Sequence, residues 1–250
     1  MIIIKNINEP EIIAAEKHFL VAYKPPRIHS APQGLSSGET FFDWCSKEYP
    51  EIKNITGRKE GEGGLLHRLD FETHGLLLIA RTSIGLESLL EQQEKNLIIK
   101  EYSCLVSHSK SILKGFPEKN EESINLLNYE NKEKRIIKSA FRPFGPGRKA
   151  VRPLLPILNG DKLYATEISG LKKHGKGFFS LKAVISKGFR HQIRCHLAWN
   201  NLPILNDDLY GGPSFGKGFL ALRAFSLTFS EPVSNRKKQF LIPLLELCDI

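Results

Sequence analysis

The chain contains few cysteines and no long apolar run, and both absences limit what it can be. Only four of its 250 residues are cysteines (Cys45, Cys104, Cys195 and Cys248), and no two of them form a Cys-x-x-Cys pair. Scattered single cysteines exclude zinc-ribbon and thioredoxin-type motifs and predict reduced thiols in a cytosol. No apolar run exceeds five residues, whereas a membrane-spanning helix requires roughly 20.

The beginning of the chain and its composition place it among globular proteins. Met1–Ile4 is followed at once by Lys5 and Asn6, so a secretory signal is not expected. Hydrophobic residues make up 41% and charged residues 25% of the chain, close to the average of globular proteins. The length predicts one large domain, or one domain with an appendage. We therefore expect a cytoplasmic protein that has no membrane partner.

Several common catalytic motifs are missing from the sequence. It contains no phosphate-binding Gly-x-x-x-x-Gly-Lys-Ser/Thr loop, no Gly-x-Gly-x-x-Gly after a strand, no His-Glu-x-x-His and no Gly-x-Ser-x-Gly. These absences argue against phosphate-loop NTPases, dinucleotide enzymes, zincins and α/β-hydrolases. We therefore expect neither a nucleotide cofactor nor a metal.

Short strand patterns are interleaved with only a few helical ones. Alternating or fully apolar segments predict strands over 18–23, 76–80, 97–106, 178–185 and 221–229. Helices are predicted over 40–49, after a cap at Thr82 or Ser83, and over 190–199, and a polar excursion over about 107–130. This order predicts an α+β fold with a mixed, largely antiparallel central sheet and flanking helices and loops, rather than a βαβ repeat.

The first segment that could carry chemistry is His67-Arg68-Leu69-Asp70. It lies between the glycine-rich stretch 57–64 and the apolar strand at 76–80, so a rigid scaffold holds it where it can meet a ligand. In an extended segment Arg68 and Asp70 point the same way, and the cation favours the ionised carboxylate. An ionised, partly desolvated aspartate can act as a nucleophile or a general base. The alternative is an ordinary surface ion pair.

The second segment is the cationic stretch 188–196. Within the helix predicted over 190–199, Arg190 and Arg194 are four residues apart and share one face. Two guanidiniums near the start of a helix suit phosphate contacts or a buried carboxylate partner, and the alternative is a solvated basic face. His191 and His196 do not suit a metal, because side chains five apart on a helix diverge.

The third segment is 202–212, which contains the paired Asp207 and Asp208. Paired aspartates are compatible with acid–base chemistry or with a cation site. The proline, asparagine and glycines around them favour a structured turn instead.

Together these segments resemble the motifs of the RluA-type RNA pseudouridine synthases. That family has His-Arg-Leu-Asp, two variable residues, then Thr-Ser-Gly and a strand ending in Ala, as well as Lys-x-Tyr, Gly-Arg-Thr-His-Gln-Ile-Arg-x-His and Pro-Ile-Leu-Gly-Asp-x-x-Tyr-Gly motifs and a first strand ending Asn-Lys-Pro. The matching stretches here are 67–80, 100–102, 188–196, 203–211 and 20–25. The chain departs from the family at His74, at Phe189-Arg190 and at Asn206.

The resemblance implies a fold, a reaction and roles for individual residues. It implies the pseudouridine synthase fold, with a single catalytic domain over 1–250 and a motif-bearing core over about 18–230. Asp70 aligns with the catalytic aspartate that attacks the target uridine, and Arg68 with the arginine that takes the place of the displaced base. Tyr102 aligns with the tyrosine that stacks on the base, and Arg194 with the arginine that pairs with the aspartate. We expect this chain to be a catalytic domain without the S4-type domain that many relatives carry at the N-terminus.

We therefore predict an enzyme that isomerises specific uridines to pseudouridine in ribosomal or transfer RNA. The reaction is redox-neutral and needs no cofactor, and a base within structured RNA must first be flipped out of its stack. We expect the chain to work as a monomer. A catalytically silent RNA-binding relative of the same fold is the main alternative, against which the presence of Asp70, Arg68 and Tyr102 argues. A glycosidase would need a second placed carboxylate, and we find no convincing partner for Asp70.

The net charge of +9 is concentrated in two segments. Residues 132–152 and 170–194 each carry +7, so the rest of the chain carries −5. We predict that both segments contribute RNA-contacting surface beside the Asp70 cleft. The residues predicted to contact RNA are Lys24, His67, Arg142, Arg148, Lys149, Arg152, Arg190, His191 and Gln192.

Overall fold

The computed structural model describes residues 2–32, 38–57, 61–109, 113–118, 134–174 and 177–250. Within these residues the chain forms ten strands, β1 (Glu11–Ala15), β2 (Phe19–Lys24), β3 (His74–Ala80), β4 (Ile99–Ser107), β5 (Arg135–Phe144), β6 (Ala150–Leu154), β7 (Tyr164–Lys173), β8 (Phe178–Ile185), β9 (Leu222–Ser230) and β10 (Lys237–Leu241), and three α-helices, α1 (Phe41–Glu48), α2 (Ser83–Glu94) and α3 (Gln192–Trp199).

The chain divides into two compact units. Unit 1 comprises residues 1–101 and 223–244, and unit 2 comprises residues 102–222 and 245–250. Strand β4 passes from unit 1 into unit 2, and nearly all of β9 belongs to unit 1. The prediction of a single catalytic domain over 1–250 stays a prediction.

In unit 1, strand β2 is buried along its whole length and pairs antiparallel with both β1 and β3. Strand β3 pairs in parallel with β9, which pairs antiparallel with β10. The two apolar five-residue runs of the sequence become β2 and β3, since a strand that is covered on both faces has no polar side. The core of the unit includes Phe19, Leu78, Leu89, Phe225 and Phe229.

Polar caps set the beginnings of the two helices of unit 1. Thr40 forms a capping box with Asp43 at the start of α1, in which each side chain bonds the main-chain N–H of the other. The Thr82 hydroxyl accepts a hydrogen bond from the N–H of Gly85 at 3.0 Å at the start of α2. Both predicted helices are confirmed, and the cap of the second is Thr82.

A glycine at the start of β3 allows the close approach of two strands in unit 1. Gly75 has φ +127°, and a Cβ there would lie 2.3 Å from the carbonyl oxygen of Ala224 on β9. Only a residue without a side chain fits this backbone and this distance. The glycine therefore allows β3 to pair closely with β9 five residues after Asp70.

In unit 2 the strands follow the order β8, β7, β5, β6, and all three pairings are antiparallel. Strand β8 alternates as predicted, with Leu181, Ala183 and Ile185 buried and Lys182 exposed. Helix α3 is buried along most of its length. Its Cys195 and Ala198 belong to a core cluster with Ala150 and Val151.

The predicted fold class is confirmed. Within the two units, the pairings β1–β2, β2–β3, β9–β10, β5–β6, β5–β7 and β7–β8 are antiparallel, and that of β3 with β9 is parallel. Of the polar excursion, residues 110–112 and 119–130 lie outside the described residues. A helix both long enough and apolar enough to cross a membrane is not found in the described ranges.

The helix predicted over 190–199 begins two residues late. Helix α3 starts at Gln192, and His191 before it has the left-handed φ of +56°. Arg190 thus lies in a turn, so the prediction that Arg190 and Arg194 share a helix face is wrong. The physical reason is that the left-handed residue reverses the chain just before the helix.

Candidate active site

In unit 1, Asp70 lies on a turn that leads into β3. The residue is half-buried, and its carbonyl accepts a hydrogen bond from the N–H of Thr73 at 3.1 Å. Leu69 is bonded through both of its main-chain groups to the hydroxyl of Ser30. The carbonyl of Phe71 accepts from the Lys24 ammonium and from the N–H of Arg27. The main chain on both sides of Asp70 is therefore anchored to the segment that follows β2.

Lys24 is a buried cation at the end of β2. Its Nζ donates to the carbonyls of Pro25, Ile28 and Phe71 at 2.8, 2.9 and 3.3 Å. Burial lowers the pKa of Lys24 to about 7, and the carboxylates of Asp70 and Glu72 act in the opposite direction.

His67 and Arg68, which precede Asp70, have different surroundings. The Nε2 of His67 accepts the N–H of Leu78 at 3.3 Å, so the neutral ring carries its proton on Nδ1. Burial, and secondarily the charge of Lys100, holds the pKa of His67 well below its ordinary value. Arg68 is half-exposed and forms an ion pair with Glu62 at 3.3 Å. Arg68 is therefore within reach of a ligand, whereas His67 is bound to strand β3.

His74, at one of the departures from the family motif, is fully buried at the start of β3. Its Nε2 accepts from Nε of Arg223 on β9 at 3.1 Å. Burial holds the pKa of His74 well below its ordinary value, and the nearby Arg223 and Lys24 add to the effect. A neutral imidazole here accepts a hydrogen bond from a buried guanidinium.

In unit 2, Arg194 on α3 forms a two-pronged ion pair with Asp207. Its Nε and Nη2 donate to the two carboxylate oxygens, both at 2.8 Å. The side chains of Arg194 and Asp207 are 8% and 0% exposed, so the pair is desolvated and its geometry is tightly defined. This is the buried carboxylate partner that the sequence offered as one alternative for the cationic segment.

Tyr210 connects the Arg194 pair to β6. Its ring centroid lies 5.2 Å from the guanidinium carbon of Arg194 and 5.5 Å from that of Arg152. Its hydroxyl accepts the N–H of Val151 at 3.0 Å and lies 3.2 Å from Nδ1 of His191. Burial raises the pKa of Tyr210, so the phenol stays protonated.

The turn between β5 and β6 presents cations to solvent. Arg148 and Lys149 are exposed there, and Arg190 donates to the carbonyls of Arg148 and Ala150. Phe141 of β5 stacks on Phe189 with ring centroids 5.0 Å apart and planes 3° apart. Phe189, another departure from the family motif, thus packs against the hairpin.

Three of the residues predicted to contact RNA are buried and engaged with the protein. Besides Lys24, Gln192 donates to the carbonyl of Ala165 and the hydroxyl of Thr166. Arg152 is 5% exposed, donates to the carbonyls of Lys114 and Val151, and lies over aromatic rings. The structure thus gives each of the three residues contacts within the protein, and their contact with RNA stays a prediction. Arg142 is half-buried and donates to the carbonyl of Gly115 at 2.8 Å.

The four predicted catalytic residues are divided between the units. Asp70 and Arg68 belong to unit 1, whereas Tyr102 on β4 and Arg194 on α3 belong to unit 2. Tyr102 is 6% exposed. Their catalytic roles stay predictions. Among the described residues, no three His, Cys, Asp or Glu side chains converge to form a metal site.

Two residues that hold the predicted site were not assigned this role from the sequence. Asp207 was interpreted as part of a structured turn, and it is in fact also the partner of Arg194. Because Asp207 lies within the 203–211 motif, the sequence contains a signal that could have indicated this role. Ser30 lies outside every recognised motif, and no sequence pattern indicated its bonds to Leu69.

Comparison with known proteins identifies the family. The profile described as RNA pseudouridylate synthase matches residues 18–199. An uncharacterized RNA pseudouridine synthase of Helicobacter pylori strain 26695 is 30% identical over 246 residues, which covers 95% of this chain and 67% of that protein. The ribosomal large subunit pseudouridine synthase C of Rickettsia prowazekii is 27% identical, over 93% of this chain and 67% of that protein.

Solved structures show the same fold. The human RNA pseudouridylate synthase domain containing 1 superposes with a TM-score of 0.64 at 19% identity, covering 95% of this chain and 84% of that one. The human RNA pseudouridylate synthase domain containing 4 superposes with a TM-score of 0.61 at 16% identity, and the match covers 94% of this chain and 88% of that one. Since the family profile covers most of the chain, including the turn with Asp70 and the whole of helix α3, the chain belongs to the RNA pseudouridylate synthase family and is a pseudouridine synthase.

Proposed function

We propose that this enzyme converts specific uridines of structured RNA to pseudouridine with Asp70 as the nucleophile. Asp70 attacks the target uridine and the bond between N1 and C1′ breaks. The base then turns and C5 bonds to C1′ as the bond to Asp70 is released. The hydrogen on C5 leaves as a proton and N1 takes up a proton. Every heavy atom of the uridine is retained and the proton count is unchanged, so the isomerisation consumes no co-reactant.

The observation that carries this proposal is the setting of Asp70 in unit 1. Its main chain is anchored on both sides, by Ser30 at Leu69 and by Lys24 at Phe71, while the residue itself stays half-buried. A nucleophile needs such a fixed backbone to be held near its attack position. The family profile, which covers this turn, supports the same assignment.

We further propose catalytic roles for Arg68, Tyr102 and Arg194, as the match to the family motifs implies. Arg68 is exposed enough to fill the space of a displaced base. The guanidinium of Arg194 is held in a defined orientation by its two hydrogen bonds to Asp207. Tyr102 supplies the aromatic ring for stacking on the target base, an interaction worth about 1–3 kcal/mol.

Large-subunit ribosomal RNA is the substrate class we propose first, with transfer RNA as the second. The reason is that relatives from Rickettsia, Borreliella and Buchnera carry names of ribosomal large subunit pseudouridine synthases. The natural place of such a substrate is the cytoplasm, and we propose that the enzyme acts there as a monomer. Pseudouridine mapping in a strain that lacks this gene and in its parent will identify the RNA and the position.

Substitution of the nucleophile tests the proposed reaction. Asp70→Asn removes the attacking carboxylate, so we expect loss of pseudouridine formation while RNA affinity stays within a few-fold of wild type. The assay is the release of tritium from C5 of labelled uridine in ribosomal RNA transcribed in vitro. Glu72→Gln is the matched control, since it neutralises a half-exposed carboxylate of the same turn. Conversion of uridine by the Asp70→Asn protein would show that the assignment of the nucleophile is wrong.

Charge reversal tests the proposed RNA surface on the β5–β6 turn. Arg148→Glu combined with Lys149→Glu removes two exposed cations, and we expect weaker binding and a slope of log affinity against log salt reduced by about 1–2. The control is Arg236→Glu with Lys237→Glu, a matched pair of exposed consecutive cations in unit 1. Equal weakening by both double variants would mean that general charge, rather than this turn, binds the RNA. Lys132 and Lys176 of the two basic segments lie outside the described residues.

A further inference from the structure

The hydroxyl of Ser30 holds the residue that precedes Asp70 at both of its main-chain groups. Ser30 is 3% exposed. Its Oγ donates to the carbonyl of Leu69 at 2.8 Å and accepts the N–H of the same residue at 3.0 Å. One hydroxyl thereby satisfies a donor and an acceptor that are buried on a single residue, which an aliphatic side chain at this position cannot do.

The residue that follows Asp70 is held from the same segment of chain. The carbonyl of Phe71 accepts the N–H of Arg27 at 2.8 Å and the ammonium of Lys24 at 3.3 Å. The ring of Phe71 lies against that of His29, with centroids 4.7 Å apart. Residues 24–30 therefore act as a template on which the three-residue turn around Asp70 is placed.

We propose that Ser30 is a positioning residue for Asp70. This inference rests on the proposed role of Asp70 as the nucleophile. Ser30 touches neither the substrate nor the reacting atoms. By fixing the peptide groups of Leu69, it sets the direction in which the next residue presents its carboxylate. Displacement of a reacting group by about 1 Å is enough to lower a rate by about 100-fold. Loss of the two hydrogen bonds to Leu69 should therefore lower the reaction rate through a small shift of the Asp70 carboxylate.

A positioning role and a merely structural role have different kinetic consequences. Loss of the hydroxyl leaves two buried main-chain groups of Leu69 without a partner, and this lowers stability in either case. Only misplacement of the nucleophile lowers kcat while RNA binding stays unchanged. The division of the effect between kcat and KM therefore distinguishes the two roles.

The experiment compares Ser30→Ala, Ser30→Thr and Ser30→Cys in the tritium-release assay on ribosomal RNA transcribed in vitro. We expect Ser30→Ala to lower kcat by about 10- to 100-fold, with KM and RNA affinity within twofold of wild type. Ser30→Thr keeps the hydroxyl and restores kcat to within a few-fold. Ser30→Cys retains a weaker donor and gives an intermediate kcat, and this variant together with Ser30→Thr decides the question if the alanine variant does not fold.

The matched control is Ser46→Ala. Ser46 is 4% exposed and donates to the carbonyl of Asp43 at 2.8 Å within unit 1. We expect this variant to lose stability without any change in kcat. The proposal is overturned if Ser30→Ala, or in its place Ser30→Cys, has the kcat of wild type, or if KM rises while kcat is unchanged. A failure of the proposed function looks different, because the Asp70→Asn protein would then retain activity.

Discussion

In unit 1, hydrogen bonds hold the main chain of the residues on either side of Asp70. In unit 2, hydrogen bonds hold the side chain of Arg194 itself. Ser30 and Lys24 bond the peptide groups of Leu69 and Phe71. Asp207 instead bonds the guanidinium of Arg194 directly, at two points. Each arrangement suits the proposed task of its residue.

The difference has a physical basis. A nucleophile must change its bonding during the reaction, so its backbone can be fixed while its carboxylate has to take part in chemistry. An arginine that stabilises a carboxylate keeps its charge throughout, so a permanent buried partner costs it nothing in reactivity. We therefore expect the stability of unit 1 to be most sensitive to changes in backbone packing. We expect that of unit 2 to be most sensitive to the loss of a charge.

The largest effect is expected from a change in the backbone packing of unit 1. Gly75→Ala places a Cβ 2.3 Å from the carbonyl oxygen of Ala224 and forces alanine into φ +127°. Overpacking and backbone strain each cost about 1–3 kcal/mol, so the free energy of unfolding should fall by roughly 2–6 kcal/mol. Denaturant unfolding measures this change.

Gly38→Ala is the matched control for Gly75, since a Cβ at Gly38 meets nothing within 4 Å and its φ is not in the left-handed region. We expect its stability to stay close to that of wild type. Similar unfolding midpoints for the two variants would contradict the view that β3 and β9 are held by close backbone approach.

In unit 2 the corresponding test is Asp207→Asn. It leaves the buried charge of Arg194 without its counter-charge, and breaking a buried pair in this way costs about 3–5 kcal/mol. Asp208→Asn is the control, because Asp208 is the adjacent aspartate and is exposed; it should change stability by no more than about 0.5 kcal/mol. Equal stability of the two variants would show that the ion pair does not hold the Arg194 segment.

The sequence predicts the side chains of the site better than the residues that hold them. Strands β2, β3, β8 and β9 and the two helices of unit 1 were predicted because their apolar periodicity and caps are local signals. The prolines and glycines of the hairpin between β5 and β6 obscured that pattern, and neither strand was predicted. The start of α3 is predicted two residues too early because His191 adopts a left-handed φ that imidazole side chains adopt only occasionally.

The contacts of Ser30 and of Arg152 show why the residues that hold the site could not be predicted from the sequence. Ser30 and Leu69 are 39 residues apart, and their bonds exist only once the fold has brought the two segments together. Arg152 carries the same charge in the sequence as Arg148, yet only the structure shows that Arg152 is enclosed by rings and Arg148 exposed. Whether a cation is exposed depends on tertiary packing, which composition does not record.

The effect that is smallest near neutral pH concerns the neutral polar contacts of α3, and a pH titration sharpens the comparison of the two units there. His196 is fully buried, its two ring nitrogens lie 2.9 Å from the hydroxyls of Ser139 and Thr166, and burial lowers its pKa to about 3. Between pH 6.5 and 3 the unfolded chain binds this proton and the folded protein does not. The free energy of unfolding therefore falls as the pH is lowered, by about 1.4 kcal/mol per pH unit for this residue well below pH 6.5.

His196→Gln removes this titration while retaining a side chain that can form hydrogen bonds, so the slope of unfolding free energy against pH should become shallower by about 1.4 kcal/mol per unit in that range. The pKa values of half-buried His67 and fully buried His74 in unit 1 are also lowered, so both histidines still contribute to the slope in this variant. An unchanged slope in His196→Gln would mean that water reaches the imidazole. The contacts of His196 with β5 and β7 would then not be a water-excluded anchor of α3, and the Arg194 pair would remain as its polar anchor.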